Sequence, residues 1–130
     1  MNSLFQCYDA IFFLDTETSG LNFQNDRIIE LAAIRCTAES GIQITHEMDD
    51  FVRLPQGWIL PEEITNLTGI TDEMLKNDGI DAAVCAKKFA SLLAMGKKNL
   101  LVAYNAQFDM NYLFYFLHRA GVSDSLKGIE

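Results

Sequence analysis

Two carboxylates in "FLDTETSGL" (residues 13–21) combine a residue type and a spacing suited to chemistry. Asp15 and Glu17 lie two apart in an apolar run, and residues two apart on a strand face the same side. Anions held side by side repel, and burial sharpens the repulsion. A divalent cation is the simplest relief. Mg²⁺ takes a few carboxylates and completes its octahedron with water and substrate phosphate. Ser19 and Gly20 would let the chain turn closely past a ligand. Taken alone, D-x-E is more often a solvated strand end. The second candidate is Asp109, within "LVAYNAQFDMNYL" (101–113), in the first turn of a helix that follows a buried strand. Ligands in layered α/β folds sit at the carboxyl ends of parallel strands. A strand running parallel to that of Asp15 would bring all three carboxylates together. Alone, Asp109 is better read as an acid favourably placed at a helix N-terminus.

The elements that must position these residues follow from apolar patterning. A strand is predicted over about 10–17, apolar enough to be buried on both faces, followed by a turn in "GLNFQND". "RIIELAAIRCT" (27–37) is β-branched and predicts a second strand. The turn signal at 40–41 leads to a third over 42–54. Two short connections in a row favour an antiparallel meander. Pro61 suits the start of a short helix over 61–67, and Thr71 the cap of another. Asp81 caps "AAVCAKKFASLLAMGKK", with Val84, Phe89, Leu92 and Leu93 expected on its apolar side. A fourth strand is expected over 99–105. Asn105 is then expected to cap a helix over about 106–119, stopped by Gly121. The fold class is α/β: antiparallel strands one to three, then a parallel fourth, flanked by helices.

Composition narrows the classes. The 130 residues suit one domain with a real core, and 49% hydrophobic with 22% charged residues reads as globular. No apolar run reaches the roughly 18 residues of a membrane span, and the N-terminus has no signal-peptide pattern. Cys7, Cys36 and Cys85 fit neither a disulfide framework nor a C-x-x-C site, so they read as reduced thiols of a cytoplasmic protein. A net charge of −8 argues against a protein that coats nucleic acid. It does not argue against an enzyme that grips a few nucleotides through cations.

"FLDTETSGL", "LPEEITNLTGITDEML" and "NAQFDMNYL", in this order and spacing, resemble the DEDD-type 3′–5′ exonucleases of the DnaQ-like superfamily. The resemblance is to the histidine subclass, especially proofreading exonucleases of bacterial replicative DNA polymerases. It covers about 9–121 and implies a ribonuclease-H-like fold. It also implies Mg²⁺ or Mn²⁺, two ions in the intact family site. Asp15 looks like the carboxylate shared by both ions, Glu17 like a ligand of the first, and Asp109 like the second-motif aspartate acting through bound water. Thr18 and Leu21 fall where the family contacts the terminal nucleotide, and Thr68 at a base-contacting position. Asn105 and Phe108 match the N-A-x-F-D pattern that supports the cleft. Tyr104 stands where many relatives carry histidine. Glu30 matches a recurrent acidic position, or is simply a carboxylate on the less buried sheet face.

The implied reaction is hydrolysis of phosphodiester bonds at single-stranded 3′ ends, DNA ahead of RNA, with a DNA polymerase as partner. The subclass takes its general base and last aspartate from a third motif, H-x-x-x-x-D. No such motif occurs: His118 and Asp124 are six apart with Gly121 between them. His118 reads as a residue near a helix C-terminus and His46 as a strand surface residue. The expectation is a single, C-terminally truncated exonuclease domain over 1–130, impaired as it stands. Two alternatives remain open: an inactive nuclease-like module binding nucleic acid or a polymerase, and an RNA-trimming exoribonuclease. The 106–119 helix reads as apolar nearly all round, so an exposed aromatic patch and a homodimer through it are expected.

Overall fold

The computed structural model describes residues 5–38 and 41–126. Ser40 of the 40–41 turn signal and the last residues of the chain lie outside the described part. A four-stranded sheet has the order β3-β2-β1-β4. Its strands are β1 (Ala10–Thr18), β2 (Ile28–Thr37), β3 (Gln43–Phe51) and β4 (Asn99–Val102). β1 pairs antiparallel with β2 and parallel with β4, and β2 pairs antiparallel with β3. The helices are α1 (Glu62–Thr68), α2 (Asp72–Asp78), α3 (Ala82–Leu93) and α4 (Ala106–Arg119), followed by a 3-10 turn over Ser123–Leu126.

Alternation along β1 sorts its side chains. Ala10, Phe12 and Leu14 face the helix layer and pack with Phe89 and Leu93 of α3 and Tyr112, Leu113, Phe116 and Leu117 of α4. Phe12 meets Phe89 edge-on at 5.9 Å. Phe13, Asp15 and Glu17 take the other face. There Asp15 stands in register with Ala32 and Asp49, and Glu17 with Glu30 and Phe51. The register slips after Glu17, leaving Ile29 as the extra residue of a bulge. Ile29 anchors a second cluster with Leu60, Ile70 and Leu75, to which Phe51 also packs. This cluster seats α1 and α2 beside the acidic rows.

The caps at Thr71 and Asp81 form as expected: their side chains accept from the backbone N–H groups of Met74 and Val84. Gly121, at φ 75°, follows the end of α4. Several expectations are corrected. The third strand ends at Phe51, because Val52 leaves the ladder to bridge Ile80. The fourth ends at Val102, and α3 ends at Leu93 instead of running through the lysines. Val84 is exposed. The buried stripe of α3 is Cys85, Ala86, Phe89 and Leu93, and at 100° per residue Val84 falls on the opposite side. Asn105 occupies the N-cap position of α4 but makes no side-chain cap bond. α4 is not apolar all round in its packing: Asp109, Tyr112, Leu113, Phe116 and Leu117 form one buried stripe. Of the residues that make this helix read as apolar (Phe108, Tyr112, Leu113, Phe114, Tyr115, Phe116 and Leu117), only Phe114 is exposed.

Candidate active site

The strand end carrying Asp15 and Glu17 is approached from the helix layer by Asp109. Asp109 is 5% exposed. It accepts a hydrogen bond of 2.5 Å from the hydroxyl of Thr16, and its backbone N–H donates to the Asn105 carbonyl at 3.0 Å. Thr16 points to the helices and its neighbours on either side point away, so the carboxylates flank β1 from both faces. Parallel pairing of β4 with β1 makes this possible, because it sends α4 off from the same end of the sheet.

Charge repulsion ties the group together. Burial, then the like charges of Asp15 and Asp109, push the Glu17 carboxyl up. Burial and the charge of Asp15 push Asp109 up, against the Thr16 hydroxyl, which favours the ionised form. Glu30 is pushed up to about 7, first by burial, then by a hydrogen bond and charge shared with Asp49, and by Glu17 and Asp15. Asp15 is thus the carboxylate whose charge bears on all three others. Asp49 is an addition that sequence reasoning missed. It sits in "ITHEMDD", and only the cross-strand register sets it in line with Asp15, across Ala32 of β2.

Among the described residues, no three His, Cys, Asp or Glu side chains form a metal-binding group. The donors present are all oxygens and repel one another. Of Asp15, Glu17 and Asp109, Asp15 lines a shallow concavity of about 610 Å³ together with Glu47 and Asp49, and the other two lie outside it. Such a set fits a hard divalent ion that keeps waters and takes further ligands from a substrate. Neither histidine lies among these carboxylates. His46 pairs in register with Arg35 on β3, and His118 stacks on Phe114 at 5.8 Å near the end of α4. Asp124 lies in the 3-10 turn.

The loop after β1 is tightly braced. Thr18 donates to the Gly20 carbonyl at 2.7 Å, and Tyr112 of α4 donates to the same oxygen at 2.5 Å. Asp26 accepts from the Ser19 hydroxyl and the Asn22 N–H, both at 3.0 Å. A Cβ at Gly20 would lie 2.4 Å from the Asp26 carboxylate, so any larger residue there requires Asp26 to move from its bonds to Ser19 and Asn22. This bracing holds Leu21 out into solvent, 85% exposed. Phe108 is half-buried and packs on Tyr112 at 4.8 Å. Asn105 and Tyr104 are exposed beside it. Thr68 is used internally: its hydroxyl donates to the Ile64 carbonyl and accepts from the Ile70 N–H.

Residues 12–125 match a family model described as exonuclease. The chain is 36% identical over 105 residues to a PolC-type DNA polymerase III of Oceanobacillus iheyensis, covering 81% of this chain and 7% of that protein. It is 35% identical over 122 residues to the PolC-type DNA polymerase III of Staphylococcus aureus, covering 93% and 8%. The chain therefore spans less than a tenth of the length of these relatives. Product-bound exonuclease I superposes with a TM-score of 0.76 at 24% identity, over 87% of this chain and 26% of that one. Escherichia coli exonuclease I in complex with a dT13 oligonucleotide gives 0.75 at 24%, over 86% and 24%. The fold is ribonuclease-H-like, and by the family match and the polymerase relatives the chain belongs to the exonuclease family.

Proposed function

We propose that this chain carries the site of a 3′–5′ exonuclease acting on single-stranded DNA ends, with Asp15, Glu17 and Asp109 holding Mg²⁺ or Mn²⁺. The observation that carries the reading is the meeting of Asp15 and Glu17, on one face at the end of β1, with Asp109, held by the Thr16 hydroxyl at 2.5 Å. Burial first, and the charge of Asp15 among the lesser causes, raises Glu17, Glu30 and Asp109. One carboxylate central to several others suits a ligand shared between two ions. Asp15, Glu17 and Asp109 would hold such ions, whose chemistry when bound would be to activate a water and offset charge on a leaving 3′-oxygen. The chain's own residues orient the strand. The braced Thr18–Gly20 turn fixes the place of a terminal sugar, exposed Leu21 wedges against its base, and Asn105 and Phe108 form the opposite wall. Thr68 supports the base side, in this reading through its backbone neighbours, since its hydroxyl is engaged.

A proton acceptor of histidine type is not among the carboxylates, so turnover by this chain alone is slow. The reading also includes a polymerase setting, a cytoplasmic location and weak self-association at Phe114. The second reading, a binding module that does not cut, is favoured by the lack of a closed metal-binding group among the described residues. An oligonucleotide labelled at its 5′ end separates the two. Slow appearance of a ladder of shortening products, absent in Asp15→Ala, supports the nuclease. Internal cuts, resection from the 5′ end or no products contradict it.

A further inference from the structure

Three of the four arginines in this acidic chain, Arg27, Arg53 and Arg119, line one cavity of about 460 Å³. Ile28 and Phe116 form its apolar floor, and Asp81 sits at its rim with the start of α3. Among the described residues the sole ion pair is Lys88 with Asp50, so none of the three guanidinium groups has a carboxylate partner. The Asp81 carboxylate is engaged in capping, accepting from the Val84 N–H at 3.2 Å. Burial and the like charge of Arg27 both work against protonation of Arg119. Unpaired cations gathered at one place ask for an anion, as clustered carboxylates ask for a cation.

The cavity is held in place by the loop that also serves the candidate active site. Arg119 donates to the Gln24 carbonyl at 3.0 Å, and Arg27 donates to the carbonyls of Asn25 and Asp26. The Arg27 carbonyl accepts from the Ser19 N–H at 2.8 Å, two residues beyond Glu17. Arg27 also stands over the Trp58 ring at 4.8 Å. Trp58 lines an adjoining cavity of about 510 Å³ that shares Arg53 and ends at Lys76. Guanidinium forks beside an aromatic face match a phosphodiester chain with stackable bases better than they match a lone small anion.

We infer that the Arg27–Arg53–Arg119 cavity binds a backbone phosphate of a nucleic-acid strand, away from the reacting end. The inference rests on the nucleic-acid reading above but concerns binding alone. Such a contact would give a chain of net charge −8 a local electrostatic hold on its substrate.

The test is fluorescence anisotropy of a labelled oligothymidylate with the 130-residue chain in EDTA, titrated with KCl. Cleavage plays no part in this buffer. Arg53→Gln is the main variant, since Arg53 makes no side-chain bond among the described residues. It should weaken binding by up to about fivefold, the scale of an exposed charge pair. It should lower the slope of log K against log[KCl] by about 0.7. Arg53→Lys should restore the slope, and Arg119→Gln should repeat the loss. Lys97→Gln, at the opposite end of the sheet, should change nothing. Affinity and slope unchanged in both arginine variants would overturn the inference, as would no binding by the wild type. Arginine Nε–H resonances that shift with inorganic phosphate but not with the oligonucleotide would mark a free-anion site and overturn it too.

Discussion

The Thr16 hydroxyl donates to the Asp109 carboxylate at 2.5 Å, joining the end of β1 to the first turn of α4 across ninety-three residues. With the bond of Tyr112 to the Gly20 carbonyl, it links the two acidic stretches directly. Asp109 is buried, so Thr16→Val should leave it short of a partner and cost about 1–3 kcal/mol, while Thr16→Ser should keep most of the stability. The cost should depend on pH. The bond favours ionised Asp109, and its loss lifts a carboxyl already raised above 3.8. A raised carboxyl weighs against the fold above its folded pKa and not below its unfolded one. The gap between wild type and Thr16→Val should therefore widen as pH rises, as urea unfolding at several pH values would show.

Glu30 gives a second pH effect with the same sign. Its carboxyl moves from 4.5 up to about 7 on folding, so the native state binds its proton more tightly than the unfolded chain. Its protonation favours the fold at low pH, and that advantage is lost as pH rises through about 7. Glu30→Gln should match wild type near pH 5 and be the more stable protein near pH 8, in thermal melts run in EDTA. A wild-type advantage at pH 8 would contradict the proximity of Glu30 to Asp49 and Glu17.

Gly20→Ala should disrupt the loop without touching the core. The new methyl would meet an Asp26 carboxylate fixed by Ser19 and Asn22, and forced overpacking of this kind costs roughly 1–3 kcal/mol. Asp26→Gly in the same chain should recover part of the loss in Tm, because it removes the clashing group.

Leu21→Ala should separate binding from stability. A side chain so exposed contributes within about 0.5 kcal/mol to folding. On the proposed function it should still weaken affinity for single-stranded oligonucleotides, since covering a leucine side chain with a base buries apolar surface worth on the order of 1 kcal/mol. Anisotropy and thermal melts on the same samples would show one change without the other.

The order of elements and the parallel fourth strand were legible because short connections, Pro61 and the caps at Thr71 and Asp81 act locally. Asp15 and Glu17 were legible as a pair for the same reason: strand alternation is a local rule. What was not legible depended on distant neighbours. Register alone puts Asp49 in line with Asp15 across Ala32 and makes Ile29 the bulge that seats α1 and α2. Val84 is an apolar residue on the outer face of its helix and was misplaced, and the exposed patch expected on α4 shrank to Phe114 because the remaining apolar residues of that helix are covered at least in part. Val52 left its strand for Ile80 because a partner twenty-eight residues away was available. The meeting of three arginines from three separate loops and helices has no sequence signature at all.

The most direct measurement is a Mn²⁺ titration by calorimetry and water proton relaxation, comparing wild type with Asp15→Ala and with Lys97→Gln as a control. The account predicts weak but saturable binding by the wild type and by Lys97→Gln, and its loss in Asp15→Ala, whose thermal melt should show an intact fold. Equal Mn²⁺ binding by wild type and a folded Asp15→Ala protein, or none by either, would contradict the claim that Asp15 is the centre of a metal-binding site.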